Sequence, residues 1–345
     1  MTTFAPAHTA TSKRTLNVLH VGVANRGVWP LDKCNTSTGF RSAAICDVTP
    51  SAVEEALKRT GLPASAAYAD LDAALKHPGI DCAIVCTPTK FHVPMAKKCI
   101  AAGIPVLIEK GMAPDFASAK DLAATVAASR AIACVAQNYR YASCEKQIYR
   151  AVNDPSHPCY LGSVHTAQYI QNRVRPIPRT LTYPFASVWD MSCHHFDNLL
   201  YWFGPIKAMT AHSWRASFSA YEHDNNTSAQ ILFASGVQCV YLHTHDAARA
   251  NLEVQIHGEN GALVRREDTI DFNTRPLEQF GSRPIQPVPP EHAEGESDLL
   301  RDFHAYITAG IEPGVSVRHN LETMAACEMM VRSITLKRTV TRDEL

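Results

Sequence analysis

From Leu16 to about Tyr141 the chain alternates short, continuous apolar runs with longer stretches of helical periodicity. The runs Leu16 to Val23, Ser42 to Cys46, Cys82 to Cys86, Val106 to Ile108 and Ile132 to Ala136 read as strands. Both faces of each are apolar, so both must be covered. Helices are expected near Pro50 to Thr60, Asp70 to Lys76, Val93 to Ala102 and Asp115 to Ser129, with Gly61 and Gly103 where helices commonly end in a left-handed glycine. This alternation predicts βαβ units feeding a parallel sheet, a doubly wound α/β domain. After Tyr141 the period changes. Ser163 to Gln171, Ala208 to Trp214, Thr227 to Phe233, Gly236 to His243 and Asn251 to His257 alternate polar and apolar positions, as strands with one packed face do. Pro276 to Pro290 is proline-rich and reads as irregular, while Ser297 to Ala309 and Leu321 to Leu336 have helical periodicity. The expected organisation is a flexible tail over residues 1–14, an α/β domain over 15–141, and an α+β domain over 142–345 built on a large, mostly antiparallel open sheet.

Composition narrows what such a chain does. At 345 residues it is long enough for two cores. Lys+Arg and Asp+Glu are equal at 33 each, which gives no basic field for a nucleic acid. No apolar stretch approaches the roughly 20 residues that span a bilayer, and Met1 to Thr15 lacks the apolar core of a signal peptide. A cytoplasmic protein without nucleic-acid or membrane partners is expected. The Thr/Ala-rich, acid-free opening reads as a tail or as a transit peptide. The 11 cysteines include no C-x-x-C pair and no disulfide or zinc spacing, so they read as reduced thiols.

The first strand closes on Gly22-Val23-Ala24-Asn25-Arg26-Gly27, a G-x-A-x-x-G turn. Gly22 suits a tight turn, Ala24 keeps the backbone nearly bare for a pyrophosphate, and Gly27 lets the next helix pack on the sheet. Alone the pattern is weak. Asp47, 20 residues after Gly27 at the end of the second strand, strengthens it, because a carboxylate there accepts hydrogen bonds from ribose hydroxyls. It also repels a 2′-phosphate, and Val48, Thr49 and Pro50 supply no arginine to accept one, which favours NAD over NADP. Asp47 alternatively reads as a cap for the helix beginning at Pro50. Thr87-Pro88-Thr89, Glu109-Lys110 and Gln137-Asn138 each follow a strand at its carboxyl end, the edge where open α/β sheets bind ligands.

Lys110 delivers an ammonium to that edge, where it can polarise a substrate oxygen, unless it is a surface lysine paired with Glu109. In Trp189 to Gly204, a spacing of about 100° per residue puts Asp190, His194, Asp197 and Tyr201 on one stripe, with Phe196, Leu199, Leu200 and Phe203 roughly opposite. A solvated face fits too, but the stretch has neither Lys nor Glu. His194 suits a general base that takes a hydroxyl proton as hydride leaves the carbon, and Asp190 suits a partner that holds its tautomer or binds substrate. His195 points about 100° away, to a structural place or to the substrate. A metal at Cys193, His194 and His195 is not expected, because adjacent helical residues diverge. Asn172 to Tyr183, with Arg173, Arg175 and Arg179, reads as a pocket border or an interface arm.

From about Leu16 onward the chain resembles the Gfo/Idh/MocA family of sugar and cyclitol oxidoreductases. The resemblance rests on the Gly22 to Gly27 turn, Asp47, Thr87-Pro88 with His92, Glu109-Lys110, Gln137-Asn138-Tyr139-Arg140, and D-x-x-x-H-x-x-D at Asp190, His194 and Asp197. It implies a Rossmann domain joined to an α/β domain on a large mixed sheet, dimers or tetramers formed through that sheet, and catalysis by Lys110, Asp190 and His194. NAD would be held by Gly22, Ala24, Asn25, Arg26, Gly27, Asp47, Thr87, Pro88, His92, Glu109, Lys110 and Asn138. Substrate would meet Lys110, Arg140, Asn172, Asp190, His194 and His195. The chain departs from the family at Gly111, where E-K-P is usual, at Ala24 in place of the middle glycine, and at Ser192, where glycine is common. The implied activity is NAD-dependent hydride transfer at a secondary hydroxyl of a sugar, glycoside or cyclitol. Non-redox glycoside cleavage or epimerisation through transient oxidation, or NAD binding without catalysis, are the alternatives.

Overall fold

The computed structural model describes residues 14–36, 39–174, 176–274, 283–284 and 295–345. The tail expected over 1–14, apart from residue 14, lies outside the described residues, as do Arg175 and most of Pro276 to Pro290. The described chain divides into two compact units, one reaching to Asn138 and including Gly295–Met324, the other comprising Tyr139–Pro284 and Ala325–Leu345. A single cut at 141 was expected. The structure instead returns a later segment to the first unit, where Val135 N–H donates to Val315 O at 2.8 Å and Cys134 bridges to Ser316.

The first unit runs β1 (Leu16–Val21), α1 (Val28–Thr36), β2 (Phe40–Cys46), α2 (Pro50–Thr60), β3 (Ala67–Tyr68), α3 (Leu71–Ala74), β4 (Cys82–Val85), α4 (His92–Ala101), β5 (Val106–Ile108), α5 (Phe116–Ser129) and β6 (Ala133–Val135). Its strands form a parallel sheet in the order β3-β2-β1-β4-β5-β6. The order reverses between β1 and β4, which opens the crevice where such sheets take ligands. Every residue of β4 and β5 is buried, in keeping with their continuous apolar runs. Helix boundaries follow local chemistry: Pro50 begins α2 and Gly61 ends it at φ 69°, while Asp115 caps α5 by accepting from Ser118 N. Helix α1 follows the glycine turn directly, as the packing role read for Gly27 requires, and carries Pro30 within its first turn.

The second unit contains α6 (Ser143–Asn153), β7 (Val164–Asn172), α7 (Cys193–Phe203), β8 (Ile206–Trp214), β9 (Asn226–Phe233), β10 (Gln238–Thr244), β11 (Asn251–Gly258), β12 (Gly261–Arg266), β13 (Thr269–Thr274) and β14 (Arg283–Pro284). Helix α8 (Gly295–Ala309) follows in the first unit, the division falls within α9 (Val317–Leu336), and β15 (Val340–Thr341) closes the second sheet. That sheet has the order β14-β13-β12-β11-β7-β10-β9-β8-β15. Its pairs are antiparallel except β7 with β10, which run parallel. All eleven residues of α7 are buried. Its Phe196 meets Tyr241 at 5.4 Å between ring centroids, Trp202 meets Tyr169 at 6.4 Å, and Phe203 meets Phe233 at 5.3 Å. Side chains of this kind each contribute about 1.5 to 3 kcal/mol on leaving water. Among the described residues no helix is long and apolar enough to cross a membrane, and all 11 cysteines are free thiols.

Candidate active site

In the first unit the glycine turn is specified by space. Gly22 sits at φ +78° and donates to Cys46 O at 2.8 Å, and a Cβ added to it would lie 2.8 Å from Thr87 N. A Cβ on Gly27 would lie 2.1 Å from Gly22 O, an impossible contact, so the turn closes only around a bare residue. Ala24 and Asn25 are exposed, with Asn25 at φ 50°. Asp47 is half-buried and grips the turn from the neighbouring strand: its Oδ2 accepts from Val23 N at 2.9 Å and its Oδ1 from Thr49 N at 2.8 Å. Two bonds leave lone pairs on both oxygens for ribose hydroxyls. Nearby strand ends carry buried polar atoms with no hydrogen-bond partner among the described residues, the Thr87 hydroxyl and Gln137 Oε1. A bare turn, an anchored carboxylate and unsatisfied polar atoms along one sheet edge fit a dinucleotide.

Other residues expected to hold the cofactor are committed to protein partners. Glu109 is buried, and its carboxylate accepts from Arg26 Nε at 2.9 Å, Trp29 Nε1 at 3.2 Å and the Lys110 backbone N at 2.6 Å. Arg26 also reaches Glu296 at 3.4 Å, and its pKa is raised by the two carboxylates against the opposing effect of burial. His92 is buried, with Nδ1 2.7 Å from Gly111 O and Nε2 2.7 Å from Thr87 O. Carbonyls only accept, so both contacts are hydrogen bonds only when both ring nitrogens carry protons. Burial lowers the ring's pKa, against the pull of the two carbonyls and Glu109. His92 thus stands between the Thr87 turn and the lysine turn, and Glu109 ties Arg26 to the latter. Pro88 begins the single helical turn before α4, and Asn138 is half-buried after β6. Lys110 is half-buried at the end of β5 and precedes a cis peptide bond to Gly111.

In the second unit the expected stripe is broken by a π-turn over Val188–Ser192, with α7 beginning only at Cys193. Such turns add a residue to the helical repeat and are frequent at functional sites. Asp190, half-buried in the π-turn, accepts from Arg179 Nη2 at 2.9 Å. His194 is buried and stacks on Tyr139 at 3.9 Å with rings 10° from parallel. Asp197 is fully internal and holds Arg140 through two bonds, Nε at 2.7 Å and Nη2 at 2.6 Å. The Arg140 guanidinium also lies 5.2 Å from the Tyr201 ring. Arg140, expected among the substrate-binding groups, is buried and braces Asp197. Asn172 donates to Asn251 Oδ1 at the end of β7.

Residues 16–137 match the oxidoreductase family's NAD-binding Rossmann fold, and residues 184–341 match its C-terminal alpha/beta domain. The chain belongs to the Gfo/Idh/MocA family. An inositol 2-dehydrogenase of Rhizobium meliloti is 22% identical over 315 residues, 87% of this chain and 91% of that protein. An uncharacterized oxidoreductase of Escherichia coli, YhhX, is 24% identical over 216 residues, and the match spans 61% of each chain. Among solved structures, an oxidoreductase from Agrobacterium radiobacter in complex with NAD+, L-tartaric acid and magnesium superposes with a TM-score of 0.83 at 16% identity, covering 96% of this chain and 99% of that one.

Two departures from the Gfo/Idh/MocA pattern have a structural place. Gly111 supplies the carbonyl bound by His92. Ser192 sits in a buried network that reading the sequence did not find: its hydroxyl lies 3.2 Å from Ser187 O, 2.7 Å from Tyr241 Oη and 3.1 Å from His243 Nδ1. His195, buried at 0% exposure, reaches the same network through Nδ1 to Tyr241 Oη at 2.8 Å. His245 Nδ1 meets Tyr221 Oη at 2.8 Å. The signal lay in β10, where buried positions two apart run Cys239, Tyr241 and His243 and so turn from apolar to basic toward the strand's end.

Proposed function

We propose that the protein is an NAD-dependent dehydrogenase that interconverts a secondary hydroxyl and a ketone on a sugar, glycoside or cyclitol. The observation that carries this reading is the glycine turn, closed so tightly at Gly22 and Gly27 that only backbone fits, with the Asp47 carboxylate clamped upon it. Gly22, Ala24, Asn25 and Gly27 form the cradle for the pyrophosphate, Asp47 binds the adenosine ribose, and bound NAD supplies the hydride acceptor. Lys110 polarises the substrate oxygen and stabilises developing negative charge. His194, held flat against Tyr139, takes the hydroxyl proton, and Asp190, steadied by Arg179, orients the substrate or the imidazole. The relatives support the substrate class, since one is named for inositol and another holds NAD+ with a dihydroxy acid.

Lys110→Ala and His194→Ala should each lower NADH formation by roughly 10² to 10⁴-fold with little loss of NAD affinity, the usual scale for an acid/base group. Full turnover in either variant rejects that residue's role. The Asp47 carboxylate favours NAD over NADP, and Asp47→Ala should narrow that preference in parallel kinetics with the two cofactors. An unchanged preference moves the discrimination elsewhere. The open sheet exposes Val240 on its central strand β10, which supports assembly of two or four copies through that face; a monomeric mass in sedimentation removes this assignment.

A further inference from the structure

The histidines at the end of β10 have tautomers that their partners determine. Ser192 Oγ donates to the carbonyl of Ser187, which can only accept, so the bonds from Tyr241 and His243 must run toward Ser192. His243 therefore carries its proton on Nδ1, and its Nε2 is a bare acceptor. Tyr221 is constrained from the other direction: its oxygen accepts from Ile177 N at 2.9 Å, and among the described residues its own proton has only His245 Nδ1 to go to. His245 therefore carries its proton on Nε2. Burial, reinforced by the neighbouring histidines and Arg173, holds His243 neutral, and burial pushes the pKa of His245 down to about 4. Both Nε2 atoms are buried without a hydrogen-bond partner among the described residues.

One fixed acceptor and one fixed donor thus stand side by side, on rings 4.7 Å apart and 72° from parallel. Two O–H···N or N–H···O bonds of about 2.8 Å meeting at one oxygen span up to about 5.6 Å, a reach that exceeds the separation of the ring centres and suits one hydroxyl shared by the pair. A hydroxyl is the group that matches, since it both gives and accepts, whereas a carboxylate or an ammonium satisfies only one of the two. The pair lies beside the residues assigned to chemistry: His243 bonds Ser192 in the π-turn that carries Asp190, and the Asp190 and Arg173 charges both act on His245.

We infer that His243 and His245 form a specificity-determining subsite that reads one hydroxyl of a polyhydroxylated substrate, His243 accepting from it and His245 donating to it. This rests on the dehydrogenase reading. The test uses the full chain with NAD+ and a panel of myo-inositol, D-glucose, D-xylose and L-tartrate. An asparagine amide reaches the place of a histidine Nδ1 and a glutamine amide the place of Nε2. His243→Asn and His245→Asn therefore keep the bonds to Ser192 and Tyr221 but lose the outer groups, and His245→Gln restores a donor there. For the compound that wild type oxidises, KM should rise about tenfold or more in both asparagine variants, the worth of one lost hydrogen bond, with kcat falling less, and the glutamine should recover most of it. Unchanged KM in folded variants overturns the subsite and leaves the dehydrogenase standing. No turnover of any panel member by wild type, together with no binding of NAD+ in calorimetric titration, defeats the dehydrogenase reading and, with it, the ligand assigned to the pair. Independently, histidine ¹⁵N spectra at neutral pH should show His243 protonated on Nδ1 and His245 on Nε2; the same tautomer on both overturns the inference whatever the kinetics show.

Discussion

The nucleotide edge of the first unit and the histidine-rich interior of the second achieve specificity by opposite means. At Gly22 and Gly27 the backbone is left bare and a side chain is what the fold cannot admit. Around α7 and β10 the fold is crowded with buried polar side chains, and each is defined by which partner it gives to or takes from. The first arrangement fails when something is added and the second when something is removed.

The sharpest way to expose the difference is to delete one half of the Arg140–Asp197 pair, whose side chains are 6% and 1% exposed. Asp197→Ala should cost about 3 to 5 kcal/mol of unfolding free energy, because it strands a buried guanidinium. Urea unfolding within about 1 kcal/mol of wild type would show that water or another group reaches Arg140. The converse change is the addition of one methyl. Gly27→Ala should destabilise by about 1 to 3 kcal/mol and weaken NAD binding, since the Gly22 carbonyl must move out of the way. Calorimetric titration with NAD giving an unaltered Kd would show that the turn does not touch the cofactor.

The effect that is smallest at neutral pH, and grows only on acidification, is a slope with pH. Burial pushes His20 down to about 3 and His245 down to about 4 from an ordinary value of 6.5. Above pH 6.5 folded and unfolded chains are alike at these sites, and their contribution to stability is fully present. As pH falls below 6.5 the unfolded chain takes up protons that the folded chain refuses. Each ring then removes about 1.4 kcal/mol per pH unit until its folded pKa is reached. His20→Gln should flatten the fall in thermal midpoint between pH 6.5 and 4; a slope equal to wild type assigns the acid sensitivity to other groups.

The same contrast explains what could be read in advance. Strands β1, β2 and β4 to β6 announce themselves because a doubly covered strand must be apolar throughout, and the Gly27 position is legible because a glycine requirement is local. Helix α6 was overlooked because its inward-facing Glu145 reads as surface, until Arg265, 120 residues later, is seen to neutralise it. The protein partners of Arg140 and His92 were not legible for a related reason. Arg140 meets Asp197 across 57 residues and His92 meets Gly111 across 19, distances over which no periodicity connects the two. The π-turn at Val188–Ser192 has no sequence mark at all, so the Asp190 position drifted from the regular helix assumed for it.

Glu109 joins the loop that would meet the cofactor's phosphates to the loop that carries the lysine, because one carboxylate holds Arg26 and the backbone N–H of Lys110 together. The two loops are therefore mechanically one piece: a displacement of Arg26 reaches the peptide group of Lys110 through a single carboxylate.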